Sequence, residues 1–257
     1  MAPLHRGAKQ IKGVKNKFKE IFSGLQSAYG QYQKSDRSES GKQKGKAFII
    51  KKPITDNLWE DHLNGIDPAL GIIPINEQNN CKWGCIDIDQ YNLNHKELIQ
   101  KINELKFPLI VFRSKSGGAH IFLFTKEYIS AALMQSTLKK MSNVLGYRNV
   151  EIFPKQTEIL VERGDTGNFL NLPYHNQMKG LRYAYNDKGT AISLEEFFQL
   201  YDIRACTKED IEKIQIEEKK IEEVFIDGPP CINRLAVEGF GEGSRNNALF
   251  NIAIYYK

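Results

Sequence analysis

The sequence predicts an α+β (α/β) fold built around a mixed or antiparallel sheet. Three observations carry that reading. Short apolar runs with strand character are interleaved with segments whose apolar residues recur at helical spacing. A Gly-Gly turn, Gly117-Gly118, separates two apolar runs in the manner of a β-hairpin. The chain has 257 residues, 41% of them hydrophobic, which suits one large domain or one domain plus an appendage.

The elements follow in order. Residues 1–15 are basic with little apolar periodicity and are expected to form a disordered arm. In 16–26, Phe18, Ile21, Phe22 and Leu25 fall on one helical face. Residues 28–32 read as a strand, the polar stretch 34–46 as an exposed loop, and 47–51 as a strand pairing back across it. That loop is no P-loop: Gly41 and Gly45 are too close, and Ala47 stands where Ser or Thr is needed. A helix is expected at 56–64, an apolar run at 71–75 and a strand at 82–89. Residues 94–105 form an amphipathic helix with Asn94 as its cap. Strands follow at 109–112 and 119–125, a helix at 128–145, and further strands at 149–153 and 167–172. Ser193 and Glu196 have capping-box spacing at the head of a helix over 193–201. The charged stretch 206–228 reads as a connecting helix, and 229–257 as a small helical domain cut from something longer.

Charge is unevenly distributed. Residues 1–52 carry 13 Lys/Arg against 3 Asp/Glu, whereas the remainder carries 23 against 28. A basic end on an acidic body suits a polyanionic partner, or a solvated tail. The four cysteines lack a second close pair, so free thiols in a reducing compartment are expected rather than zinc ligands. No apolar run approaches the ~18 residues of a membrane span. The chain reads as cytoplasmic.

The sharpest chemical feature is Cys85-Ile86-Asp87-Ile88-Asp89. On a strand the two aspartates share one face and the two isoleucines the other. Paired carboxylates repel, and a hard divalent cation such as Mg²⁺ or Mn²⁺ relieves the conflict. The plainer alternative is a strand end with solvated acids. A second feature is Arg113-Ser114-Lys115-Ser116-Gly117-Gly118-Ala119-His120, a turn able to offer an anion both backbone N–H groups and side-chain donors. Its alternative is an ordinary Gly-Gly hairpin. A third is Glu151-Ile152-Phe153-Pro154-Lys155, where Glu151 would supply a third carboxylate and Lys155 a cation for a triphosphate; the alternative is an exposed Glu on an edge strand. Together the three provide what metal-assisted nucleotidyl transfer needs: acids for two metals and donors for a triphosphate.

The order of these motifs, followed by Gly167-Asn168-Phe169-Leu170-Asn171-Leu172-Pro173-Tyr174, resembles the archaeo-eukaryotic primase superfamily, and within it the primase-polymerases of phages, plasmids and mobile conflict systems. The resemblance implies a catalytic core at 16–205 with a sheet of RRM-like topology beside an N-terminal α/β module. It implies a DNA primase-polymerase acting on a single-stranded DNA template with nucleoside triphosphates, in a bacterium or phage-infected host, with a helicase as a further partner fused or bound downstream. By that likeness Asp87, Asp89 and Glu151 hold Mg²⁺ or Mn²⁺, and Ser116, Gly117, Gly118 and His120 bind the phosphates with help from Arg113 and Lys155. Tyr29, Tyr32, Trp59 and Trp83 are candidates for stacking on template bases. Two other classes remain open: a non-catalytic single-stranded DNA-binding initiator module, and a two-metal nuclease.

Overall fold

In the computed structural model the described residues are 4–37, 43–214 and the isolated positions 216, 229, 233, 249, 250 and 252–254. The chain forms two compact units, Met1–Gln215 and Ile216–Lys257. The expected connecting helix is described only as a short helix, α6 (Lys208–Lys213); its remainder, and nearly all of the helical domain expected at 229–257, lie outside the described residues.

The first unit holds two four-stranded sheets. One contains β1 (Tyr29–Arg37), β2 (Gln43–Ile50), β3 (Leu70–Ile72) and β8 (Leu170–Asn171) in the order β2-β1-β3-β8. The other contains β4 (Asn80–Ile88), β5 (Leu109–Arg113), β6 (Ala119–Ser130) and β7 (Glu151–Phe153) in the order β5-β6-β4-β7. Every pairing is antiparallel. With α3 (His95–Glu104) between β4 and β5, and α4 (Ala131–Leu145) between β6 and β7, the second sheet follows the β-α-β-β-α-β plan. Its first strand, β4, is central, which is the RRM-like arrangement.

Three of the helices that follow β4 start where the sequence supplies a capping side chain. Asn94 Oδ1 accepts from Glu97 N–H at 3.2 Å, and Ser130 Oγ from Leu133 N–H at 3.2 Å. Ser193 and Glu196 close the expected capping box at the head of α5 (Leu194–Arg204).

The second sheet is covered on both faces, and strand alternation decides which residue meets which layer. Ile86, Ile88, Ile121 and Leu123 share a face with buried helical partners Leu98, Ile102, Leu138 and Met141 available from α3 and α4. The opposite face carries Trp83, Cys85, Phe112, Phe122 and Phe124, joined in one core with Phe18 of α1 (Leu4–Ile21), Phe22 just past its end, Trp59 of α2 (Asp56–Asn64) and Phe197 of α5. Cys81, Cys85 and Cys206 are free, buried thiols. Among the described residues no helix is long and apolar enough to cross a membrane.

Two local expectations differ. The helix expected from residue 16 begins at Leu4, through most of the supposed disordered arm. Much of the 34–46 loop is strand: β1 and β2 continue pairing through Lys34↔Gly45 to Arg37↔Gln43 across a bulge. The polar Lys/Gly/Ser sequence is compatible with strand there because the ladder hydrogen bonds run between main-chain groups and do not depend on apolar alternation.

Candidate active site

The site grows out of one strand. Along β4, Trp83, Cys85 and Asp87 share a face that runs from the aromatic core outward into a cleft of about 1000 Å³. Asp87 stands where that face leaves the core, and its side chain is largely buried. Register does the rest. Asp87 is directly opposite His120 on β6 and directly opposite Glu151 on β7. Directly opposed antiparallel residues have Cβ atoms ~4.5–5.5 Å apart on one face. His120, Asp87 and Glu151 therefore form a row across three adjacent strands, and Asp89, just past the end of β4, continues the same face. All four line the cleft.

The electrostatics follow from this placement. Burial, then the negative charges of Asp89 and Glu151, raise the Asp87 carboxyl to about 7, against an opposing effect from Lys155. Burial, helped by the Arg182 charge, lowers His120 to about 4, so its imidazole is neutral at neutral pH. The 3.4 Å approach of His120 Nε2 to Asp87 Oδ1 is thus no ion pair. It is too poorly directed to be a hydrogen bond, and Asp87 Oδ1 is a buried oxygen without a hydrogen-bond partner. An orphaned carboxylate oxygen beside two more carboxylates is a donor set that fits a hard divalent cation. As placed, no three acidic, His or Cys side chains among the described residues converge to enclose an ion. Glu151 is instead drawn to Lys155, whose Nζ lies 2.8 Å from Glu151 Oε2.

The hairpin between β5 and β6 borders the same cleft through Ser114, Lys115 and Ser116. Both of its glycines have a structural reason. Gly117 has φ +95°, a left-handed conformation that side-chain-bearing residues rarely adopt. Gly118 passes so close to β4 that an added Cβ would overlap the carbonyl oxygen of Ile88. Ser114 N–H donates to Gly118 O at 3.0 Å and Gly117 N–H to Ser114 O at 3.2 Å, which close the turn.

Residues 14–214 match the family described as TOTE conflict system, Archaeo-Eukaryotic Primase domain. The chain belongs to that family. Among solved structures, the AEP domain of the cyanophage S-2L primase-polymerase (PrimPol) is similar at 9% identity with a TM-score of 0.40, over 74% of this chain and 97% of that one. No curated protein matches the chain.

Within this primase domain most of the expected site residues reach the cleft: Asp87, Asp89, Ser116, His120, Glu151 and Lys155. Arg113 does not. Phe112 is the partner of His120, so Arg113, one residue on, faces the other side of the sheet. There its Nη1 donates to the carbonyl oxygens of Leu181 and Ser114 at 3.2 and 3.3 Å, tying down the loop before Arg182. Of the aromatic residues expected near template, Tyr29, Trp59 and Trp83 are buried in the core, and only Tyr32 lines the cleft, with Lys115 Nζ 5.2 Å above its ring.

Among the cleft-lining residues that sequence reasoning missed are Arg182, Phe169 and Asn171. Arg182 Nη1 donates to Leu172 O at 3.1 Å, which orients its guanidinium. A positive charge in a cleft with three carboxylates was a signal to look for, but nothing local to Leu181-Arg182-Tyr183 announces it.

Proposed function

We propose that this domain is a DNA primase-polymerase, joining nucleotides in a template-directed, divalent-metal-dependent reaction that makes and extends primers on single-stranded DNA. The observation that supports this reading best is the His120–Asp87–Glu151 row with its unpartnered buried Asp87 oxygen. In the reaction a primer 3′-hydroxyl oxygen attacks the α-phosphorus of a nucleoside triphosphate, and the bond to the bridging oxygen of the leaving pyrophosphate breaks. Asp87, Asp89 and Glu151 would hold Mg²⁺ or Mn²⁺, which when bound supply charge neutralisation and a more acidic hydroxyl.

The remaining work falls to the chain's own groups. Lys115 and Ser116, at the cleft side of the glycine turn, present donors to phosphate oxygens. Neutral His120 donates one N–H without adding charge, while Lys155 and Arg182 offset the triphosphate's negative charge. Lys155 also has to release Glu151 to do so, because the two are paired at 2.8 Å. The basic stretch 1–52 is suited to backbone phosphates of the template, which would make binding strongly salt-dependent.

The test is a primer-synthesis and primer-extension assay on a single-stranded template, with ribo- and deoxynucleotides, under Mg²⁺ and Mn²⁺. Asp87→Asn and Asp89→Asn together should lower incorporation by at least ~10²-fold with the fold intact. Template binding without incorporation by the wild-type protein would make it a non-catalytic binding module. Cleavage of the template in the absence of nucleotides would make it a nuclease.

A further inference from the structure

The first sheet also turns one face to the cleft, and its composition is specific. Register aligns Ile49, Gly30, Gly71 and Asn171 in a single row across β2, β1, β3 and β8. The neighbouring residues on the same face include Tyr32, Ala47 and Ala69, and Phe169 lies two residues before Asn171. The two glycines have no conformational need, since neither has a positive φ. They are required by one ring: a Cβ added to either Gly30 or Gly71 would overlap the aromatic ring of Phe169. Phe169 is therefore laid flat over two bare α-carbons, immobilised from below, half-buried, and facing the cleft. Beside it, Asn171 Oδ1 is a buried oxygen with no hydrogen-bond partner.

We propose that Phe169 is the platform on which the base of the incoming nucleoside triphosphate stacks, with the Asn171 amide meeting that nucleotide's polar edge. The inference rests on the nucleotidyl-transfer reading for its ligand. One covalent ligand joins the two walls: its phosphates belong at Ser116 and His120, and its base needs an apolar face within the same cleft. The cleft's roughly 1000 Å³ accommodates such a molecule. A ring held rigidly against glycine loses no side-chain freedom when a base arrives. Stacking accepts every base, because each has a π-face. An amide that offers both an acceptor and donors can also serve bases of different edge pattern.

The experiment is equilibrium binding by calorimetry, with Mg²⁺ present. The probes are a non-hydrolysable deoxynucleoside triphosphate, inorganic tripolyphosphate and a single-stranded oligonucleotide. Phe169→Leu keeps the slot filled but removes the π-face; Phe169→Trp retains it; circular dichroism melts confirm that each variant folds. Phe169→Leu should weaken nucleotide binding by roughly 5- to 150-fold, leave tripolyphosphate binding unchanged, and be rescued by Phe169→Trp. Unchanged nucleotide affinity in Phe169→Leu overturns the proposal. So does a loss confined to the oligonucleotide, which would make Phe169 a template contact. Failure of the wild-type protein to bind nucleotide or tripolyphosphate would overturn the nucleotidyl-transfer reading itself, and this inference with it.

Discussion

Replacing Asp87 by Asn should make the metal-free protein more stable while disabling it. Asp87 is buried beside two other carboxylates, and its carboxyl is raised from 3.8 to about 7. Its folded form therefore binds a proton more tightly than its unfolded form. Between these two pH values the folded state holds more protons, so stability falls as pH rises. Below 3.8 Asp87 is protonated in both states and costs nothing; above 7 the cost is complete. A rise of that size corresponds to about 4 kcal/mol, an upper bound because the cleft can admit water and the side chain can move. Asparagine carries no charge and escapes this cost. In EDTA, urea unfolding of Asp87→Asn and wild type should give similar stabilities at pH 4. The variant should then gain by on the order of 2–4 kcal/mol at pH 8. Adding Mn²⁺ should stabilise wild type and leave the variant unmoved. A variant that is less stable than wild type at pH 8, or a difference that does not change with pH, would refute the reasoning.

Two further outcomes are expected. His62 is fully buried, with Nε2–H donating to Pro173 O at 2.7 Å and Nδ1 accepting from Leu70 N–H at 3.1 Å, and burial lowers its pKa from 6.5 to about 3. The unfolded chain binds the extra proton, so stability should fall as pH drops from 6.5 towards 3. His62→Gln, though less stable overall, should flatten that part of a pH-resolved urea series. In the hairpin, Gly118→Ala should disturb the β4–β6 edge more than Gly117→Ala. The first meets the Ile88 carbonyl, which is backbone and cannot swing aside, whereas the second meets only the Arg113 guanidinium at an ordinary contact distance of 3.7 Å and costs its left-handed conformation, about 1–2 kcal/mol. Nucleotide-binding calorimetry and thermal melts on the two variants check this.

The legibility of the molecule in its sequence followed from how local each signal was. Two-residue alternation alone puts Asp87 and Asp89 on one face and Ile86 and Ile88 on the other, and the capping box at Ser193 is a matter of four consecutive residues. The RRM-like strand order needed the likeness to the primase superfamily as well as the pattern. The polar arms of β1 and β2 escaped because their sequence does not alternate apolar and polar residues, the signal by which strands are read. Arg113 was read by its nearness to Ser116 in the chain, although parity with Phe112 and His120 turns it to the other face. Asn171 belongs to a two-residue strand, β8, which Phe169 immediately precedes and whose partners lie about a hundred residues upstream. Nothing near Phe169 reveals that Gly30 and Gly71 make room for it.

Diffraction from crystals grown with Mn²⁺ and a non-hydrolysable nucleoside triphosphate tests the central claim most directly. An anomalous-scattering peak bounded by Asp87, Asp89 and Glu151, with the Glu151–Lys155 pair opened and the triphosphate against Ser116 and His120, is the predicted result. Manganese bound elsewhere, or none at the carboxylate row while nucleotide occupies the cleft, would contradict the account.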